Sequence, residues 1–452
     1  MDTSVELGST SQTMPRDRDG EHMERAEEGD TGPNNEASLN PVDGGWAAWK
    51  LLLAAFVFEA LLWAGFPLSF GVFQNYYSHL PDFVHQRYIS VIGTIASGMS
   101  YMGAPLIIPV LKRYAKYRGQ MIWFGWTLCI LGILCGSFAR TVGSLIFTQG
   151  VMYGVGFIIF YYPIISMVNE YWITRRGMAY GFLCSASGFS GIVMPLSLEV
   201  MLNKYGYPTT LRAVAIGLVV LTGPLIPLLK GRLPASTQSI SPRTNWAFLK
   251  TPLFWIYTAS NLMQGLGYFF PSLYIPSYAS TLGLSSRQGS LLLAIMCVSQ
   301  VLGQFSFGYL SDRRLSVMAL SFASTLIPAA AVFALWGLAR NFAMLCAFAL
   351  VYGFFGAGYT ALWARMGMGV TTDVTSAFAV FGLFNFGKGI GNVLAGPISA
   401  NMLLFDRINV GRYAIGKYEV LVLFTGSCML ASAVSIAVGY LDVQKLRLRQ
   451  RP

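Results

Sequence analysis

Polar residues come in short bursts along this chain, and between them run twelve long apolar segments from Trp49 to Leu441. They fall near 49–74, 88–111, 120–139, 142–168, 177–203 and 211–230, then near 252–280, 289–311, 315–338, 341–364, 375–403 and 418–441. An apolar run of about 20 residues spans a bilayer as a helix. Lipid offers the backbone no hydrogen-bond partners, so each run must satisfy its own amides within a helix. The pattern predicts an all-α polytopic membrane protein with twelve transmembrane helices.

The longest polar interruption after the first 45 residues is GRLPASTQSISPRTNWAFLK, residues 231–250, which divides the runs six and six. The two sets resemble each other. The fifth run holds Ala179, Gly181, Gly188 and Gly191, then Pro195, Ser197, Met201 and Leu202. The eleventh holds Ala379, Gly382, Gly387 and Gly391, then Pro397, Ser399, Met402 and Leu403. Duplicated six-helix halves are a common build for secondary transporters, with the substrate site between the halves near the midplane. The expected organisation is a disordered acidic cytosolic tail over 1–45, a bundle over 46–230, a cytosolic linker over 231–250, a second bundle over 251–442 and a basic cytosolic tail over 443–452. Gly150-x-x-x-Gly154 and Gly387-x-x-x-Gly391 would let helices approach closely. Pro67, Pro163, Pro195, Pro271, Pro276 and Pro397 are candidate bending points.

A formal charge of +11 suggests nucleic acid until its placement is read. Residues 1–46 carry eleven acids against three arginines, so the basic excess lies wholly in the rest of the chain. With both termini cytosolic, 17 basic residues fall in inside loops and nine in outside loops. That bias follows the positive-inside rule, so the charge reports topology. Nucleic-acid binding is excluded, and the plasma membrane is the expected location. At 54% hydrophobic and 11% charged residues, with mean hydropathy +0.53, no soluble reading survives. The six cysteines lie inside apolar runs without a CxxC pair and read as buried small hydrophobes. His22, His79 and His85 lie outside the runs, which removes a His-based metal site. Gly382 to Lys388 has the GxxxxGK spacing but lacks the following Ser/Thr and a soluble strand, so no ATP site is expected. No cofactor is expected. The energy must come from a gradient, with protons as a candidate coupling ion.

Charges inside a membrane are costly and are functional candidates by default. Glu59 lies about 15 Å into the first run at 1.5 Å per residue, and Lys388 is similarly central in the eleventh. A buried carboxyl suits proton carriage, while a central lysine could bind an anionic or polarised oxygen or pair with Glu59. Helical spacing adds polar faces: Asn261, Gln264 and Tyr268 in the seventh run, Gln300 and Gln304 in the eighth, Asn385 and Asn392 beside Lys388 in the eleventh. Trp63 lies one turn beyond Glu59. Tyr153 in the fourth run and Tyr359 in the tenth belong to aromatic faces. Together these twelve residues are the candidate substrate-binding set, fit for an amphipathic organic molecule larger than lactate.

The loop after the eighth run reads Gly308-Tyr-Leu-Ser-Asp312-Arg313-Arg314, which resembles the GxxxDR signature of the major facilitator superfamily. The resemblance implies that acid and base at the helix ends latch one conformation. The equivalent first-half loop, Pro109-Val-Leu-Lys112-Arg113, keeps the base and lacks the acid. Asp43-Gly44-Gly45-Trp46-Ala-Ala-Trp49 and Tyr171-Trp172-Ile-Thr-Arg175-Arg176-Gly177 are similar to motifs of the monocarboxylate porter family, and other stretches look like its fungal members. Asp312, Arg313, Arg175 and Arg176 are the candidate gating residues. Animal monocarboxylate carriers are implied to use a Lys in helix one and an Asp and an Arg in helix eight, where this chain has Leu68, Gln304 and Gln300. The resemblance therefore implies a gradient-driven carrier, functional as a monomer, moving a small organic metabolite, with export of a secondary metabolite favoured. Proton-linked monocarboxylate uptake and a non-transporting sensor stay open as alternatives. Without matched carboxylates or a Ser/Lys pair at one depth, an enzyme is not expected.

Overall fold

The computed structural model describes residues 40–449 apart from 65, 68, 79, 81–87, 234–243, 314, 403–412 and 415–417. The expected tail up to residue 39 lies outside the described residues, as does half of the linker, residues 234–243. So do His22, Leu68, His79, His85, Arg87, Arg243, Arg314, Arg407, Arg412 and Lys417. The described residues form helices and no strand.

The first half contains α1 (Trp46–Phe58), α2 (Phe70–Ser78), α3 (Ile89–Met102), α4 (Ala104–Arg113), α5 (Arg118–Gly136), α6 (Tyr153–Tyr171) and α7 (Arg176–Thr222). The second contains α8 (Pro252–Tyr268), α9 (Phe270–Thr281), α10 (Ser286–Ser311), α11 (Val317–Ala331), α12 (Phe342–Ala361), α13 (Trp363–Val370), α14 (Val374–Met402) and α15 (Glu419–Arg449). Nine helices among the described residues are long and apolar enough to cross a membrane, or ten if α3 and α4, bent by 48° at Gly103, make one span.

The apparent shortfall from twelve has a physical cause. α7 contains Gly206 at φ 75° and ψ 168°, a backbone that no helix adopts and that glycine tolerates, so it holds the fifth and sixth runs end to end. The seventh run is split into α8 and α9, each too short to span alone. The first run, expected as one helix over 49–74, is likewise interrupted. One expected tail is shorter: α15 continues the twelfth run to Arg449.

α7 lies along α10, and α3 and α4 lie along α14, joining the two halves of the sequence. Glycine makes the first crossing possible. A Cβ on Gly181 would stand 2.6 Å from the Gln304 carbonyl oxygen, and one on Gly308 would stand 2.6 Å from Gly181 Cα. Backbone therefore rests on backbone, as small residues allow in lipid. Cys129, Cys297 and Cys428 are buried as expected, but Cys135 is exposed. It shares a helical face of α5 with exposed Phe124 and Leu131, a stripe suited to lipid.

Candidate functional site

Two helices at corresponding places in the halves are broken near mid-span. α1 gives way to a π-helical turn over Glu59–Ala64, and Pro67 has no N–H for the Trp63 carbonyl. The Tyr153 hydroxyl donates to the Leu62 carbonyl within that turn. In the second half α8 ends at Tyr268, and Pro271 has no N–H for the Gly267 carbonyl. Paired proline-interrupted helices point to the binding site in transporters built from repeats. Both candidate ionisable residues sit at these breaks.

Lys388 is 1% exposed. Its ammonium donates to Gln264 Oε1 at 2.5 Å and lies 3.7 Å from the Tyr268 ring centroid and 5.1 Å from that of Phe269. Gln264 is oriented from behind, since its Nε2 donates to the Gly356 carbonyl at 3.3 Å. Gly265 brings α8 close to the α14 backbone here, a Cβ there standing 3.3 Å from Lys388 Cα. No carboxylate forms an ion pair with Lys388 among the described residues. The alternative of a Glu59–Lys388 pair is therefore not what the structure contains.

Glu59 is 7% exposed, with Tyr161 as its hydrogen-bonding neighbour and Oε2 without a partner. Aromatic rings extend from it. Tyr161 stacks on Phe157 at 5.0 Å, Phe157 meets Trp63 at 5.3 Å, and Trp63 meets Tyr101 edge-on at 4.7 Å. Tyr101 lies against α14 beside Lys388, where a Cβ on Gly389 would stand 2.7 Å from Tyr101 Cβ. One aromatic wall thus links the acid of the first half to the base of the second.

Other candidates divide by what holds them. Asn261 donates to the Phe384 carbonyl at 2.7 Å and keeps a buried Oδ1 without a partner. Gln304 is buried with its Oε1 likewise unpartnered. Gln300 and Asn392 are half-buried. Asn385 donates to the Phe381 carbonyl of its own helix, and the Tyr359 hydroxyl donates to Ser260 Oγ, which meets Ser432 Oγ. Tyr153, Tyr359 and Asn385 are thereby tied into helix packing rather than presented to a ligand. The aromatic-face spacing could not separate these roles, because packing and binding use the same period.

At one end of the molecule the halves are latched. Asp312 accepts from Gly177 N at 2.8 Å and Met178 N at 2.6 Å, capping the start of α7. Its ion partner is Arg365 at 3.3 Å and not Arg313, which lies 4.7 Å over the Tyr309 ring and hydrogen-bonds its hydroxyl. Burial raises the Asp312 carboxyl above its ordinary range, against the pull of those amides and Arg365. Asp43 braces the same turn, accepting from Ile173, Thr174 and Arg175 amides at 2.8–3.0 Å. Burial opposes ionisation there, but the amides win and hold Asp43 below the usual carboxylate range. Arg175 therefore contributes its backbone while its side chain is exposed. Arg176 is buried and reaches Met368 of the other half as well as the Trp172 and Asn169 carbonyls. At the second crossing Lys112 donates to the Thr375 carbonyl at 3.2 Å and to Thr244 of the linker at 2.5 Å. Arg365 is one of the 17 basic residues that the sequence assigns to inside loops, and nothing in the loop motif ties it to Asp312.

The family described as Major Facilitator Superfamily matches residues 89–396, more than half of the chain. The MFS transporter asaE of Aspergillus flavus is 24% identical over 428 residues, covering 92% of each protein. Monocarboxylate transporter 12 of Rattus norvegicus is 24% identical, over 90% of this chain and 88% of its own length. Among solved structures, the transporter FucP in the outward conformation superposes with a TM-score of 0.63 at 13% identity, covering 86% of this chain and 97% of that one. That last likeness speaks for the fold.

Proposed function

The chain belongs to the Major Facilitator Superfamily, and on that footing we propose that it carries an amphipathic organic metabolite by alternating access between the halves 46–230 and 251–442. An anionic or polarised oxygen of the cargo binds Lys388. Its apolar body lies against Trp63, Tyr101, Phe157 and Tyr161, and Glu59 takes and releases the coupled proton.

One observation carries this reading: the Lys388 ammonium is buried against a neutral amide and an aromatic face. A buried lysine kept only for structure is normally matched with a carboxylate, because an unpaired buried charge is costly. Here Gln264 Oε1 accepts from one of the three donors of the Lys388 ammonium. The remaining capacity suits a ligand oxygen. The neutral Gln300 and Gln304, at positions where the resemblance implies charges in animal monocarboxylate carriers, favour a larger metabolite over lactate-type uptake, and export is the direction proposed. Basic residues Lys112, Arg113, Arg175, Arg176, Arg313 and Arg365 gather at the latched end, which marks it as cytosolic. The state described then faces outward.

The test uses purified protein and organic acids graded in size, read first as ligand-induced thermal stabilisation. Hits then enter counterflow in proteoliposomes. Stabilisation by aromatic or polyketide-sized acids, with exchange, supports the reading. Stabilisation by lactate alone favours monocarboxylate uptake, and binding without exchange identifies a sensor.

A further inference from the structure

Far from the chamber, at the end opposite the latch, α2 and α7 line a half-open cavity of about 450 Å³, with Gly71, Asn75, Glu199 and Asn203 exposed. Its size falls within the roughly 300–1,000 Å³ of small-molecule sites. Two helical faces line it. α2 contributes Gly71, Val72, Asn75 and Tyr76, and α7 contributes Glu199, Leu202 and Asn203. Glu199 lies 15 residues beyond Cys184, which neighbours Glu59, so the cavity is about 22 Å from the chamber at 1.5 Å per residue.

The chemistry of this lining is one-sided. Among the described lining residues Glu199 is the single charge, and no described basic residue forms an ion pair with it. Tyr76 supplies an aromatic face. It stands beneath the turn at Gly206, where a Cβ would lie 3.6 Å from the Tyr76 hydroxyl oxygen. Val72, Leu80 and Leu202 give an apolar floor, and Asn75 and Asn203 an amide rim. A carboxylate beside an aromatic ring over apolar surface matches a cation with an apolar body. It does not match the anion that suits Lys388.

We propose that the α2–α7 cavity is a second binding site, at the outer end, that takes a monocationic amphiphile of the alkyl- or aryl-ammonium class with Glu199 as counter-ion. Occupancy there is independent of the carrier reading, since it needs neither Lys388 nor transport.

The probe is phenyltrimethylammonium, with tert-butylbenzene as its neutral isostere, titrated calorimetrically against the full chain in nanodiscs. Wild type binds the cation saturably and the isostere much more weakly. Glu199→Gln weakens cation binding about tenfold or more, an electrostatic loss of about 1.4 kcal/mol. Glu199→Asp retains part of the affinity, which separates charge from misfolding. A Cβ on Gly71 meets nothing within 4 Å, so Gly71→Leu grows into the cavity and abolishes binding while the thermal midpoint holds. Lys388→Ala leaves cation binding unchanged. Equal binding by Glu199→Gln, equal binding of the isostere, or no saturable wild-type binding up to about 10 mM overturns the site. Because counterflow of organic acids is measured separately, failure here leaves the carrier reading standing, and the converse holds.

Discussion

The latched end and the central chamber treat polar groups in opposite ways. At the latch, Asp312 has two amides and Arg365, Asp43 has three amides, and the Arg118–Glu170 ion pair is closed further by the Arg232 and Leu233 amides. In the chamber, Glu59, Asn261 and Gln304 each keep a buried oxygen without a partner, and Lys388 has no acid. Buried polar atoms are nearly always satisfied, and each exception costs about 1–3 kcal/mol. The latched end also has exceptions, the indole N–H groups of Trp172 and Trp363, but its carboxylates are satisfied, whereas the chamber leaves carboxylate and amide oxygens open as a region built to receive something does. The latch is built to hold.

The sharpest way to break that contrast is Lys388→Ala. Removing a charge-assisted bond to cargo costs about 1.5–3 kcal/mol, or roughly 10- to 150-fold in counterflow rate. Wild-type exchange in this variant would take Lys388 out of the site. Next comes Asp312→Ala, which removes a helix cap and an ion partner together. It should shift the resting state toward opening at that end by about tenfold. Ser311→Cys, buried at this crossing, then reacts faster with aqueous thiol reagents, and an unchanged rate would deny the latch its role.

Glu59→Gln sharpens the chamber side. It keeps shape and removes the titrating group, so transport becomes nearly flat with pH while cargo binding at neutral pH changes only a few-fold. A pH profile identical to wild type would assign the proton elsewhere. The smallest effect belongs to Tyr359→Phe. It loses one bond to Ser260, about 1 kcal/mol of stability, and lowers the thermal midpoint without altering exchange. A loss of exchange at unchanged stability would return Tyr359 to the binding set.

The latch side was partly legible in sequence. Asp312 stood out through the resemblance of its loop, Gly308 to Arg314, to the GxxxDR signature. Its partner did not, because Arg365 is 53 residues away, where spacing rules do not reach. The interrupted first and seventh helices were visible as Pro67 and Pro271, and Glu59 and Lys388 as charges where lipid tolerates few. What could not be read was the division among aromatic residues. Tyr161 and Tyr101, which join the aromatic wall, share the same 3.6-residue periodicity as Tyr359 and Tyr153, which pack. Only the third dimension separates a ring facing Lys388 from one facing a serine. Gly206, by contrast, falls in the polar gap between the fifth and sixth runs, so the divide within α7 was legible in the sequence.

The central claim, that the halves rock about the chamber, is tested most directly by paired spin-label distances on a cysteine-free background. One pair, Arg175→Cys with Arg313→Cys, reports the latched end; the other, Lys204→Cys with Asn401→Cys, reports the opposite end. All four positions are exposed. Two populations in inverse relation are predicted, the first distance lengthening as the second shortens, with Asp312→Ala favouring the open latch. Distances that stay single at both ends, or that lengthen together, would contradict it.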